Sequence, residues 1–333
     1  MKYLLFAGFS SLACFTAHSL AADPLYAISA IKADKTLLTD IEFNGDQLVA
    51  VGKHGTVITS PDAKNWEQAN VPTQVLLTAV NFVDTQNGWA CGHDATIINT
   101  DNGGNDWQLQ YSNATLDKPC LDILFKDAQH GFAVGAYGMF YETHDGGKQW
   151  QKRFLDTLLF EDDRDYLNDL KESDPQAYEA ETASILPHFN RIVATNEKLV
   201  LVGEMGLLAH SLDNGQTWQR DDEIYPGSFF AYGINEQNEE LVAGLRGNIF
   251  SRHGDVMWQP IENIKTATVN SIIHDDKGNW LLLANSGVIF HYKDSQLQVE
   301  QLPDGKAILD AVIFEQQLVM ASENGIKVKR ITP

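Results

Sequence analysis

The 333-residue chain is 44% hydrophobic and carries 45 acidic against 24 basic residues, a formal net charge of −21. This length and apolar fraction suffice for one large core. The acidic excess repels nucleic-acid phosphates and anionic headgroups, and the one basic cluster, Lys327, Lys329 and Arg330, is too small to reverse that, so no nucleic-acid partner is expected.

Residues 1–21 read as an export signal. Lys2 supplies a short positive start, Leu4 to Leu20 is mostly apolar and small, and Ser19-Leu20-Ala21 places small residues before a cut at Ala22. Ser10, Ser11, Thr16, His18 and Ser19 interrupt the segment, which argues against a membrane anchor. Ser11-Leu12-Ala13-Cys14 is a poor lipobox, because a bulky aliphatic residue is expected where Ser11 stands. No later stretch is apolar and long enough to span a bilayer as a helix. The mature chain, 22–333, is then one domain in the periplasm. It keeps Cys91 and Cys120, which lack the CxxC spacing of a metal or redox site. Export permits a bridge, and two buried thiols fit equally well.

From residue 49 onward a hydrophobic strand followed by a glycine turn recurs. The copies read VAVGKHGTVITS at 49–60, WACGHDATIINT at 89–100, FAVGAYGMFYET at 132–143, VLVGEMGLLAHS at 200–211, VAGLRGNIFS at 242–251 and LLANSGVIFHY at 282–292. VMASENGIKVKR closes the series at 319–330. The equivalent turn residues are Gly55, Ala95, Gly138, Gly206, Gly247, Gly287 and Gly325, at intervals of 40, 43, 68, 41, 40 and 38. All but one interval match the length of a propeller blade. Short β-branched runs between Gly, Asn and Asp are hairpin signals, and no helical period runs through the units. The expected fold is all-β, a seven-bladed β-propeller of four-stranded antiparallel blades. The last repeat supplies three strands, and Leu25–Ala30 is expected to add the fourth and close the ring.

A second pattern links the third and fourth strands of each unit. It runs Ser60-Pro61-Asp62 to Trp66, Thr100-Asp101-Asn102 to Trp107, Thr143-His144-Asp145 to Trp150, and Ser211-Leu212-Asp213-Asn214-Gly215-Gln216-Thr217-Trp218, with a worn copy ending at Trp258. It resembles the Asp-box, or BNR, repeat. Asp or Asn caps its own turn, Gly takes a positive φ, and Trp fills a gap between sheets. EF-hand spacing is absent, so the turns are expected to be structural, without metal or other cofactor.

The long interval holds an insertion, 156–188, with ten acidic and two basic residues. Glu161, Asp162, Asp163 and Asp165 suit a helix N-terminus, and Tyr166, Leu167, Leu170, Ala177 and Tyr178 suit a loosely amphipathic helix. Insertions in repeat folds commonly decorate a binding face, which makes this segment a candidate contact surface. The tips of the glycine turns form another candidate: Lys53, His54, His93, Asp94, Tyr137, Glu204, Arg246 and Asn285. They are expected on one face near the axis. His54 and His93 occupy comparable turn positions, where facing one another across a ligand is one reading and locally bonded turn residues the other.

The export signal, the G-x-x-G turns followed by D-x-G-x-x-W, and the blade length together resemble the photosystem II stability and assembly factor family, over about residues 35–330. The resemblance implies an exported, non-catalytic propeller that binds membrane proteins during assembly. Some non-photosynthetic relatives are similar to proteins encoded beside RND-type exporters. The acidic insertion and the sparse arginines depart from the photosynthetic pattern, although Gly244-Leu245-Arg246-Gly247 matches a GxRG-like turn. A non-photosynthetic bacterial member is the expectation: a monomer, peripheral to the membrane, serving an envelope protein, with an RND-type exporter as one candidate partner. The alternative is a carbohydrate-active or sugar-binding propeller, since Asp-boxes occur in sialidases. That reading needs a deep pocket of carboxylates with a stacking aromatic, Tyr137 or Tyr225. A sialidase arginine cluster is lacking, and Phe189-Asn190-Arg191-Ile192 is only an echo of its signature.

Overall fold

The structure is a computed structural model that describes residues 25–254 and 256–331. The leader expected over 1–21 lies outside the described residues.

Each glycine turn reverses the chain between two strands, and each repeat folds into one antiparallel sheet. Among the described residues there are seven sheets, six of four strands and one of three. Blade 1 comprises Leu38–Phe43, Leu48–Gly52, Val57–Ser60 and Glu67–Gln68. The second strands, such as Leu48–Gly52 and Leu199–Gly203, are buried at every residue. They lie mid-blade with a neighbouring blade on either face, which is why they read as continuous apolar runs rather than alternating ones. Blades pack through shared apolar clusters, as where Leu38, Leu48 and Ile58 of blade 1 meet Val319 and Ala321 of blade 7.

The innermost strands are Leu38–Phe43, Leu77–Phe82, Cys120–Phe125, Phe189–Ala194, Phe229–Ile234, Val269–His274 and Ile308–Phe314. Their axial edges have no strand partner, so their peptide groups need other ones. Side chains of the preceding blade supply them. Asp40 accepts the Val80 N–H at 2.7 Å and Glu42 the Phe82 N–H at 2.8 Å. Asn81 accepts the Phe125 N–H at 2.7 Å and Asp122 the Ile192 N–H at 2.8 Å. In the complementary sense, the Thr39 hydroxyl donates to Leu77 O at 2.7 Å, Thr78 to Cys120 O at 2.8 Å, and the Asn190 and Asn270 amides to Phe229 O and Ile308 O, each at 2.8 Å.

The ring closes differently from the expectation. Leu25–Ala30 forms no strand beside the last blade. Ala27 N donates to Val71 O at 2.8 Å, and Gln68 and Gln74 bond the backbone of Ile28, Ala30 and Tyr26, so the segment runs along blade 1. The 3-10 turn Ala33–Lys35 redirects the chain, touching blade 7 where Asp34 O accepts the Ile326 N–H at 2.9 Å. Blade 7 therefore has three strands, Ile308–Phe314, Gln317–Ser322 and Lys327–Arg330. The seam between the last and first blades is held by Phe43 against Phe314, ring centroids 5.2 Å apart, and by Asp310 accepting the Ile41 N–H at 3.4 Å.

The insertion carries helices α1 (Glu161–Ser173) and α2 (Pro175–Thr182). Leu167 is buried with Leu158, Leu159 and Leu186 against blades 3 and 4, and Leu170 and Tyr178 pack on the same cluster. Glu161, Asp162 and Asp163 occupy the first turn of α1, where the helix dipole favours negative charge. The amide of Ala177 donates to the Asp174 carboxylate, which caps α2.

Cys91 and Cys120 form a disulfide, Cα atoms 5.8 Å apart, between the second strand of blade 2 and the innermost strand of blade 3. Of the two readings open in the sequence, the structure takes the bridge. A Cys91→Ala/Cys120→Ala variant should lose about 2–4 kcal/mol. Its denaturant midpoint should match that of the reduced parent and be insensitive to reductant.

Candidate functional site

Two regions gather chemically distinctive side chains: the axis, and the face that carries the glycine turns.

A cavity of about 350 Å³ lies on the axis. The third residue of six innermost strands reaches it, and these are Asp40, Asp122, Arg191, Ala231, Ser271 and Asp310; in blade 2 Val80 and Asn81 line it instead, and Glu42 lies two residues beyond Asp40. The Arg191 guanidinium stands 3.5 Å from Asp122, and the Ser271 hydroxyl donates to Asp310. Three carboxyl groups, Asp40, Asp122 and Asp310, thus share one guanidinium, with Glu42 beside them. Burial, then the Asp310 charge, pushes Asp40 well above the usual carboxylate range. Burial raises Glu42 to about 8 and Asp122 to about 6, where Arg191 opposes the shift. Burial disfavours the Arg191 charge, but Asp122, Asp40 and Asp310 outweigh it and hold the group above its ordinary value.

These groups were missed in the sequence, although a signal was there. Leu38-Thr39-Asp40, Cys120-Leu121-Asp122 and Ile308-Leu309-Asp310 align with the acid in the same place. Asp40, Glu42, Asp122 and Asp310 each accept a peptide N–H of the next blade, which makes them ring fasteners. The stacking aromatics expected for a sugar site do not line this cavity. Tyr137 stands exposed on the turn face, and Tyr225 packs on Phe229 and Phe250.

The glycine turns all join second to third strands and so emerge on one face. Their central residues are left-handed and, in six blades, are not glycine: His54, Asp94, Tyr137, Met205, Arg246 and Ser286, with φ from 52° to 62°. Asp94 is half-buried and the other five are exposed. The glycine that follows is fixed by crowding; a Cβ on Gly55 would lie 2.0 Å from Thr73 O. His54 and His93 are not equivalent. His54 takes the left-handed position that Asp94 takes in blade 2, while His93 matches Lys53. Lys53, His93 and Asn285 are exposed at the first turn position, and Glu204 there is half-buried.

The insertion joins the fourth strand of blade 3 to the first of blade 4, which brings it onto this same face. Gly138 N donates to Pro187 O at 2.9 Å, and Tyr137 meets His188 edge-on at 4.6 Å. Arg220 donates to Met205 O at 2.8 Å and Leu158 O at 3.2 Å while lying 4.1 Å over the Phe160 ring. Glu161, Asp162, Asp165 and Tyr166 are exposed and Asp163 half-exposed. The two surfaces expected separately from sequence thus form one continuous acidic and aromatic sector over blades 3 and 4.

The Asp-box turns lie on the opposite face. Asp62 accepts the amides of Lys64 and Asn65 at 2.9 and 2.8 Å, Asn102 that of Asp106 at 3.0 Å, Asp145 that of Gln149 at 2.9 Å and Asp213 that of Thr217 at 2.8 Å. Gly215 takes φ 87°. Trp66, Trp107, Trp150, Trp218 and Trp258 each wedge between their own blade and the preceding one.

Glu42 supplies a pH test. Its carboxyl titrates near 4.5 when unfolded and about 8 when folded, so the folded state holds the extra proton between these values. Stability from this group is present below the unfolded value and is lost as pH rises through about 8. Glu42→Gln keeps an acceptor for Phe82 N–H and removes the proton. Its melting temperature should equal the parent's near about pH 4 and exceed it by several degrees near about pH 9.

The family described as "Photosynthesis system II assembly factor YCF48" matches residues 58–118 and 110–180. A curated relative, the photosystem II assembly protein Ycf48 of Thermosynechococcus vestitus, is 30% identical over 60 residues, 18% of this chain and 17% of its own length. The chain's match thus spans less than a fifth of that relative. Among solved structures, YCF48 bound to a D1 peptide superposes with a TM-score of 0.66 at 17% identity, covering 90% of this chain and 95% of that one. YCF48 from Cyanidioschyzon merolae gives 0.64 at 13% identity, covering 93% and 99%. The Cps50 (Swd1) propeller of Myceliophteria thermophila gives 0.66 at 14% identity, covering 89% and 97%, so shape alone does not separate the functions these propellers serve. The chain is thus a seven-bladed β-propeller with Asp-box (BNR) turns, and over residues 58–180 its sequence is similar to the Ycf48 assembly-factor family.

Proposed function

We propose that the chain is an exported, periplasmic accessory factor that binds a membrane or envelope protein through its turn-bearing face. The observation that carries this reading is the run of six left-handed, non-glycine turn residues on that face. A side chain there costs about 1–2 kcal/mol of backbone strain that glycine would avoid. Bulky residues such as Tyr137, Met205 and Arg246 persist where strain has a use, and binding is the use an exposed rim offers. The heterogeneous tips suit an asymmetric protein surface, and the adjacent acidic sector suits basic segments beside membrane spans. A buried disulfide between blades accords with an oxidising compartment. A solved propeller of similar fold, YCF48, is bound to a D1 peptide, which supports reading this chain as a binder of a protein segment. An RND-type exporter is one candidate within this class.

The test is an affinity purification from crosslinked, gently solubilised envelopes. The wild type is set against a variant with Tyr137→Ala, Asp162→Asn and Asp165→Asn, all at exposed positions. One membrane protein complex should co-purify with the wild type and fall about tenfold with the variant. Equal recovery by both proteins, or none by either, rejects this face as the docking surface.

A further inference from the structure

Blade 7 offers a second surface that the turn face does not include. Its outer strand, Lys327–Arg330, pairs on one side only among the described residues. Gly325 N bonds Ser322 O and Ile331 N bonds Gln316 O, each at 3.0 Å, which fixes the alternation along the strand. Residues 325, 327, 329 and 331 turn their peptide groups inward, and 326, 328 and 330 turn theirs outward. Ile326 N–H is taken by Asp34 O. The outward groups of Val328 and Arg330 meet no described strand.

Beside this edge lies a groove of about 700 Å³ between blades 6 and 7, lined by Leu281, His291, Val299, Leu318, Lys329 and Ile331. It occupies the place that a tryptophan fills at five other seams. Trp66, Trp107, Trp150, Trp218 and Trp258 each precede a fourth strand and pack against the blade before, and Leu297 does so in blade 6. Blade 7 lacks both the strand and the wedge. On a chain of net charge −21, this groove is lined by four basic residues, Lys277, Lys293, Lys329 and Arg330, against three acidic ones, Asp275, Asp294 and Glu300; Lys329 pairs with Glu300, and Lys277, Lys293 and Arg330 are exposed and in no ion pair among the described residues.

We infer that the edge at Val328 and Arg330 and the adjoining groove receive an extended, acidic segment of a partner protein, which adds a fourth strand and seats a tryptophan in the groove. The five filled seams give the template: an indole, then Glu or Gln as in Glu67, Gln108, Gln151, Gln219 and Gln259, then strand pairing. Backbone pairing gives such a contact its affinity and the side-chain socket its specificity. Residues 25–30 of the chain itself are held on blade 1 by Val71, Gln68 and Gln74.

The probe is a synthetic peptide with the sequence of residues 62–71, which contains Trp66 and Glu67. Titrated into the full chain, it should slow amide exchange at Val328 and Arg330 about tenfold at saturation. A peptide with Trp66→Ala should give no protection. Val328→Pro in the protein should abolish binding while leaving the fold intact, because it removes an outward N–H only. Absence of protection in the wild type would overturn the inference. So would spontaneous, complete crosslinking of an Ala30→Cys/Arg330→Cys pair within one molecule, which would make the occupant the chain's own segment. Self-association that disappears with Val328→Pro would assign the edge to a second copy and overturn it too.

Discussion

The architecture depends on how the axial edge of each blade is satisfied. A sheet that ends at the axis leaves a row of peptide groups with no ladder partner. A ring of seven such sheets would hold unpaired amides at its centre unless something reached across each seam. Here carboxylates, amides and hydroxyls of one blade bond the innermost backbone of the next. Apolar packing holds the blades face to face, and these bonds set their register and angle. Four acids are placed in a confined space with one arginine as a result, and the raised proton affinities of Asp40, Glu42 and Asp122 follow from that placement. Perturbed titration is often a sign of catalysis, but here each carboxylate already has a structural partner.

The blade count and the sheet grammar were legible in the sequence because each repeat carries its own turn chemistry. Gly55 and Gly138 mark a left-handed position that any reader of the repeat would find, and Trp107 or Trp218 marks the start of a fourth strand. The helical character of the acidic insertion was legible for the same reason, a run of carboxylates ahead of spaced apolar residues; the single helix expected is instead two, because Pro175 restarts the helix after Asp174. What escaped was information carried by relations between repeats. Asp40, Asp122 and Asp310 look like ordinary polar residues within their strands, and only their alignment on one axis makes them a cluster. The route of residues 25–30 was misjudged because their alternating pattern suits any sheet edge. The deciding contacts, Gln68 and Gln74 on blade 1, depend on tertiary position. The disulfide was undecidable for a like reason, since Cys91 and Cys120 each suit a packed core.

The same face collects the glycine turns and the insertion because the turn from second to third strand and the link from one blade's fourth strand to the next blade's first both lie there. Insertions between blades must emerge on that side, whereas the Asp-box turns on the other side are tied to their own carboxylates and have little freedom. Structural capping and variable display are thus divided between the two faces. The sector over blades 3 and 4, where Tyr137, His188, Phe160 and Arg220 adjoin α1, is where that division has gone furthest.

The Cys91–Cys120 bridge also gives the ring a direction of failure. Six of its seven seams are crossed by the polypeptide itself, and the seam between blades 2 and 3 is crossed a second time by the disulfide. Among the described residues no covalent bond crosses the seam between blades 7 and 1, and its axial contact from Asp310 to Ile41 is a long one at 3.4 Å. A closed ring under tension parts where its links are weakest. That leaves the last-to-first junction dependent on non-covalent contacts alone, and blades 2 and 3 the pair that the disulfide keeps together. Folding can then start from an early, disulfide-locked pair of blades, with closure of the circle as its final event.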